Sequence, residues 1–129
     1  MKTTSAPSIF ARTAALALAG ALLASQASAM SLRELQALGM TDQQGENYTN
    51  YYLVGVMEGA LEAHLQAVRN GAKAVICLKG RRLEPHMARH LYDAERRRSA
   101  GIYEADMPVA LVMTNALAHA YPCQAGSSS

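Results

Sequence analysis

The chain has 129 residues, 50% of them hydrophobic, and a formal net charge of +2 at pH 7. Lys2 and Arg12 precede a predicted leader cleavage site, and without them ten basic and ten acidic residues remain. This balance gives no support to nucleic-acid binding, and a mature chain of about 100 residues predicts one domain without a linker.

A secretory signal peptide is predicted over residues 1–29. It combines a positive start without acids, an uncharged apolar stretch at 14–24 and the small-residue motif Ala27-Ser28-Ala29. As a helix the apolar stretch would cover only about 16 Å, roughly half of a bilayer's hydrocarbon core. We therefore expect cleavage between Ala29 and Met30, export to the periplasm, and no membrane anchor in the mature form.

Two helices are predicted in the first half of the mature chain. Ser31 and Glu34 have the spacing of a capping box at the start of the first helix. Thr41 and Gln44 form a possible second box, and the strongest helical pattern of the second helix runs over 47–69.

The second helix is predicted to have two different packing faces. Leu53 and Met57 lie on its apolar arc at 100° per residue, and so does His64. We expect His64 to be a hydrogen-bonded core histidine rather than a general base. The opposite face, predicted to pack against another helix or a second copy of the chain, comprises Tyr48, Tyr51, Tyr52, Gly55 and Gly59.

A third helix is predicted with Pro85 at a plausible first-turn position and with Gly101 just beyond its end. The run Arg96-Arg97-Arg98 falls in its last turn, where cations complement the helix dipole. The side chains that we expect to face the core are Leu83, Met87, Leu91 and Ala94.

A fourth helix is predicted from about Asp106, with Pro108 in its first turn, to the residue before Pro122. Its side chains are apolar on nearly all sides, with Asn115 and His119 as the clearly polar members. Four short helices do not easily cover such a helix within one chain. We therefore predict an all-α, compact bundle of about four helices that forms a homodimer.

Cys77 and Cys123 are the two cysteines of the chain. In an oxidising compartment they most simply pair with each other. Closing a loop of 46 positions stabilises the fold by roughly 4 kcal/mol in the chain-entropy model. A catalytic thiol is the alternative, and a disulfide leaves no thiolate for it.

Known catalytic motifs are missing from the sequence, which has no nucleophile elbow, P-loop, dinucleotide fingerprint or zinc-protease motif. The weak metal candidate is the set His86, His90 and Asp93, at i, i+4 and i+7 of the third helix. The simpler interpretation is that these residues border the apolar face. We predict no enzyme activity and no cofactor.

The motifs, taken in order, resemble the Rap/Tai family of type VI secretion amidase immunity proteins. The matching positions are Gly55, Glu58-Gly59, Cys77 and the stretch 110–123 with its terminal Pro-Cys, and together they span about residues 50–123. The resemblance implies a small helical periplasmic protein, often dimeric, that binds an incoming peptidoglycan amidase and blocks its cleft. It also implies a bridge between the terminal and the central cysteine.

The loops of such a protein are where it would meet its target. The candidate contact residues here are Lys79, Arg81, Arg82, Arg96, Arg97, Arg98 and Tyr103. Two other functions stay open, a small periplasmic chaperone of the acid-stress type and a metal-binding protein. The mature domain is predicted over 30–123, followed by a disordered tail at 124–129.

Overall fold

The computed structural model describes residues 29–124. Within that range the chain forms four helices and no strand, which confirms the all-α prediction. The predicted signal peptide, except Ala29, and the predicted tail, except Gln124, lie outside the described residues. The helices are α1 (Leu32–Gly39), α2 (Gln43–Arg69), α3 (Met87–Arg98) and α4 (Val109–Ala120).

Helix α1 begins with the predicted capping box. The Glu34 backbone N–H donates to the Ser31 hydroxyl at 3.3 Å, and the Ser31 backbone N–H donates to the Glu34 carboxylate at 2.7 Å. The next two amides, of Leu32 and Arg33, are bonded to the carbonyls of Met107 and Ala105. A distant part of the chain thus completes the N-terminus of α1.

Helix α2 is capped one residue later than predicted. The Asp42 carboxylate accepts from the amides of Gln44 at 2.7 Å and Gly45 at 2.8 Å. The Thr41 hydroxyl instead donates to the Leu38 carbonyl at 2.8 Å. The box prediction at Thr41 was therefore wrong, because this hydroxyl closes the end of α1 and leaves the cap of α2 to its neighbour.

Helix α3 begins after Pro85 rather than around it. Pro85 and His86 form a turn, and the helix starts at Met87. Arg96-Arg97-Arg98 occupies the last turn as predicted. The buried face is rotated from the predicted one, since Met87 and Ala94 are only half-buried and the buried residues are Ala88, Leu91, Tyr92 and Glu95.

Helix α4 lies at the centre of the core and packs against both α2 and α3. The predicted start near Asp106 was too early, because Pro108 is extended and lies outside the helix. The Val109 amide donates to the Met30 carbonyl at 3.0 Å. One large hydrophobic side chain of α4, Leu111, remains 42% exposed. The residues of α4 that one chain covers completely are Val109, Val112, Met113 and Leu117.

A disulfide joins Cys77 to Cys123, with the Cα atoms 5.0 Å apart, as predicted. Beside it, the Cys77 amide donates to the Tyr121 carbonyl at 2.7 Å, so the link after α2 runs along the end of α4. The Ile76 amide donates to Nε2 of His64 at 3.3 Å. His64 is therefore hydrogen-bonded as predicted, at a half-buried position.

Of the helices formed between residues 29 and 124, none has the length and hydrophobicity needed to span a bilayer.

Candidate functional site

A buried carboxylate stands where α3, α4 and the segment between them meet. Glu95 is 2% exposed, and its Oε1 accepts from the Tyr103 hydroxyl at 2.7 Å and the Ser99 hydroxyl at 3.0 Å. Its Oε2 lies 2.6 Å from Nδ1 of His119. Asn115 donates its side-chain N–H to the Tyr103 hydroxyl at 2.9 Å. We name Glu95, Ser99, Tyr103, Asn115 and His119 the Glu95 cluster.

The cluster keeps Glu95 ionised despite its burial. Burial alone would raise the pKa of the Glu95 carboxyl, but the hydrogen bonds from Tyr103, His119 and Ser99 outweigh it and lower the pKa below its ordinary value. Burial and the bond to Glu95 raise the pKa of the Tyr103 hydroxyl. Because an ionised carboxylate only accepts hydrogen bonds, Nδ1 of His119 carries the proton in this pair.

The Glu95 cluster was missed by the sequence reasoning. One feature of the sequence could have indicated it. Glu95 stands at helical spacing from Ala88, Leu91 and Tyr92, so it lies on the buried face of α3. A carboxylate is normally predicted to be solvent-exposed. Here hydrogen bonds from Tyr103 and from α4 offset the cost of burying it. Those donors are distant in sequence.

The first predicted contact segment is a loop beside the disulfide. Lys79 and Gly80 both have positive φ, 51° and 76°, which turns the chain sharply. The Arg81 guanidinium lies 4.6 Å from the centroid of the Tyr121 ring. Lys79, Arg81 and Arg82 are all exposed. The end of α4 thus supports this basic loop through Tyr121.

The second predicted contact segment continues from the Glu95 cluster. Arg96, Arg97 and Arg98 are exposed at the end of α3, and Arg96 lies over the Tyr92 ring, 6.0 Å from its centroid. Tyr103 is half-buried because its hydroxyl belongs to the cluster. Both basic segments therefore contact the C-terminal end of α4, one through Tyr121, which directly follows the helix, and one through His119.

The tyrosine and glycine face of α2 is open in the single chain. Tyr48 and Tyr51 are 55% and 77% exposed, Tyr52 is half-buried, and a Cβ added at Gly55 or Gly59 would meet nothing within 4 Å among the described residues. Within residues 29–124, this face is therefore uncovered at Tyr48, Tyr51 and Gly55. Packing against a second copy, and with it the homodimer, stays a prediction. Between this face and α4 lies an uncharged groove of about 380 Å³ lined by Val56, Gly59, Ala60, Ala63, His64, Ala110 and Thr114.

The weak metal candidate is not assembled into a site. His86 and His90 are exposed, with His86 beside the Glu84 carboxylate at 3.6 Å. Asp93 accepts from Nε of Arg89 at 3.0 Å. In residues 29–124, no three histidine, cysteine or carboxylate side chains are grouped as metal ligands.

Comparison with family models, with curated proteins and with solved structures gives no match to this chain. The family resemblance read from the sequence therefore stays a prediction.

Proposed function

We propose that this chain is an exported protein-binding protein of the immunity type, which inhibits a peptidoglycan amidase by covering its active-site cleft. The observation that supports the proposal is that the cationic side chains of the two contact segments have no carboxylate partner within the described residues. These six cations are Lys79, Arg81, Arg82, Arg96, Arg97 and Arg98.

The cations elsewhere on the helices are largely neutralised by carboxylates. Arg33 pairs with Asp106 at 3.1 Å, and Arg69 pairs with Glu62 at 2.6 Å. Arg89 lies 2.8 Å from a Glu46 oxygen and 3.0 Å from an Asp93 oxygen.

Other acidic residues serve the fold itself. Glu34 and Asp42 cap helices, and Glu95 is enclosed in its cluster. The mature chain has equal numbers of basic and acidic residues, but the cations left unpaired within the described residues therefore form a basic surface around the end of α4. Such a surface favours association with an acidic protein surface and speeds the encounter.

Arginine beside an aromatic ring is a common anchor of protein interfaces. Arg81 with Tyr121 and Arg96 with Tyr92 provide two such pairs. The disulfide holds the first of these segments to α4, so less conformational entropy is lost when a partner binds. These features suit occlusion of a cleft rather than chemistry on a substrate.

The test measures inhibition of amide hydrolysis in purified peptidoglycan by a periplasmic amidase fraction. We expect the mature protein to inhibit the fraction and to retain the amidase on an affinity column. The triple variant Arg96→Glu, Arg97→Glu and Arg98→Glu should bind at least about tenfold more weakly, a loss of about 1.4 kcal/mol. Arg69→Glu, an exposed charge reversal on α2, is the control and should inhibit normally. Equal inhibition by the triple variant, or no amidase retained, would contradict the proposal.

A second candidate function is the acid-stress chaperone, and the open uncharged groove between α2 and α4 favours it. Tyr51 and Leu111 expose apolar surface around this side of the molecule. Suppression of client aggregation at low pH, but not at neutral pH, is the result that would support this function over the first.

A further inference from the structure

The Glu95 cluster is the main side-chain attachment of the segment at residues 99–107. Ile102 in this segment is exposed, and its amide bonds only to the nearby Ser99 carbonyl at 3.0 Å. Tyr103 reaches inward and bonds both Glu95 on α3 and Asn115 on α4. Further along, the carbonyls of residues 105 and 107 accept the first amides of α1. The segment thus joins three helices.

The attachment depends on the charge of one group. The carboxylate accepts three hydrogen bonds, and it forms an ion pair whenever the His119 imidazole is protonated. A protonated carboxyl carries a hydrogen of its own, so it loses acceptor capacity toward Tyr103 and Ser99 and can no longer attract a charged imidazole. Acid therefore weakens the acceptor while leaving every donor in place.

We propose that Glu95 is an acid-sensitive attachment point, and that protonation of its carboxylate releases residues 99–107 from α3 and α4. The direction of the pH dependence follows from the lowered pKa of Glu95. Burial would raise the pKa of Glu95, but its hydrogen bonds lower it below 4.5 in the folded protein. The stability that the carboxylate supplies is therefore complete above about pH 4.5 and is lost as the pH falls through the folded pKa.

The other charged groups around Glu95 do not replace it. On α3, the Arg96 guanidinium lies over Tyr92, and Asp93 is paired with Arg89. From α4 the titratable neighbour is His119, and from the connecting segment it is Tyr103. Helices α1 and α2 contribute no hydrogen bond or ion pair to the Glu95 carboxylate within the described residues. Within the segment, Asp106 pairs with Arg33 on α1 at an exposed position. Glu95 is thus the group whose proton uptake in acid acts on the attachment of the segment to α3 and α4.

The test is amide hydrogen exchange of the mature protein between about pH 6 and pH 3, corrected for intrinsic exchange rates. The Ile102 amide reports on the segment, and the amides of Leu53 and Met57 in α2 report on global unfolding. We expect protection at Ile102 to fall by up to about tenfold per pH unit in the acid range. Protection in α2 should fall less, because the release is local.

Variants separate Glu95 from other acid effects. Glu95→Gln should lower Ile102 protection near pH 6 to the level that the unmodified protein reaches in acid, and so remove its pH dependence. Glu58→Gln, the same change at an exposed carboxylate, should keep the original profile. Tyr103→Phe, which keeps the ring, should weaken the pH dependence if Glu95→Gln does not fold. Constant Ile102 protection in the unmodified protein, or an unchanged profile in Glu95→Gln or Tyr103→Phe, would overturn the inference. This test needs no partner protein, so it is independent of the proposed function.

Discussion

Glu95 shows how one residue can be buried with its charge. Removing a carboxylate from water costs several kcal/mol, and the cost is offset only when its oxygens are well bonded. Here both oxygens have donors, and no buried side-chain polar atom among the described residues lacks a partner. Loss of one member of the Glu95 cluster therefore leaves other buried groups without their bonds.

At the residue scale we expect Glu95→Gln to lower the free energy of unfolding by about 2–3 kcal/mol at neutral pH. The amide keeps one acceptor but brings an N–H₂ group to a position where hydrogen-bond donors already point. Urea denaturation measures the change, with Glu58→Gln as the matched control and a change within about 0.5 kcal/mol expected for it. Equal stability of the two variants would mean that the cluster does not stabilise the fold.

The junction between α1 and α2 sets the relative position of these helices at the element scale. The backbone passes so closely there that a Cβ at Gly45 would overlap the Leu38 carbonyl oxygen. Gly45 is buried, and its amide is bound by the Asp42 side chain. The glycine is needed for the close approach of two backbones rather than for an unusual dihedral angle.

We predict that Gly45→Ala destabilises the protein by about 2 kcal/mol, because backbone must move to admit the methyl group. Gly59→Ala on the same helix meets open space and should stabilise the monomer by about 0.5–1 kcal/mol through helix propensity. Thermal unfolding of both variants measures the difference. A Gly45→Ala variant as stable as Gly59→Ala would show that the junction is wider than described.

The elements predicted from the sequence were those defined by local signals. Ser31 with Glu34 and the arginine run at the end of α3 are short-range patterns, and both are confirmed. The cap of α2 and the starts of α3 and α4 were misplaced by one to three residues, because Thr41, Pro85 and Pro108 have alternative local roles. The Glu95 cluster was not predicted, because its donors Tyr103 and His119 lie 8 and 24 positions away in the sequence.

At the scale of the whole molecule, the disulfide divides the chain into a closed part and an open part. The ring from Cys77 to Cys123 contains α3 and α4, whereas α1 and α2 are held by packing and hydrogen bonds. The pairing followed from composition and the predicted export alone. Homodimerisation was predicted from helices with apolar side chains on nearly all sides, and it stays a prediction.

We predict that the double variant Cys77→Ala and Cys123→Ala loses about 2–4 kcal/mol of unfolding free energy, mainly because its denatured chain is less constrained. Urea denaturation of the oxidised protein and of the variant measures the loss. Reduction of the unmodified protein should give a similar value. No change in either experiment would show that the bridge adds nothing to stability.

The basic loop at residues 79–82 lies inside the covalent ring and carries exposed Lys79, Arg81 and Arg82. A trypsin-like protease that cuts the loop once would leave the two pieces connected through sulfur. The nicked molecule would migrate as one band on a non-reducing gel and as two after reduction. Because α3 and α4 would still be tethered to the rest of the chain, backbone cleavage at this surface need not separate the bundle.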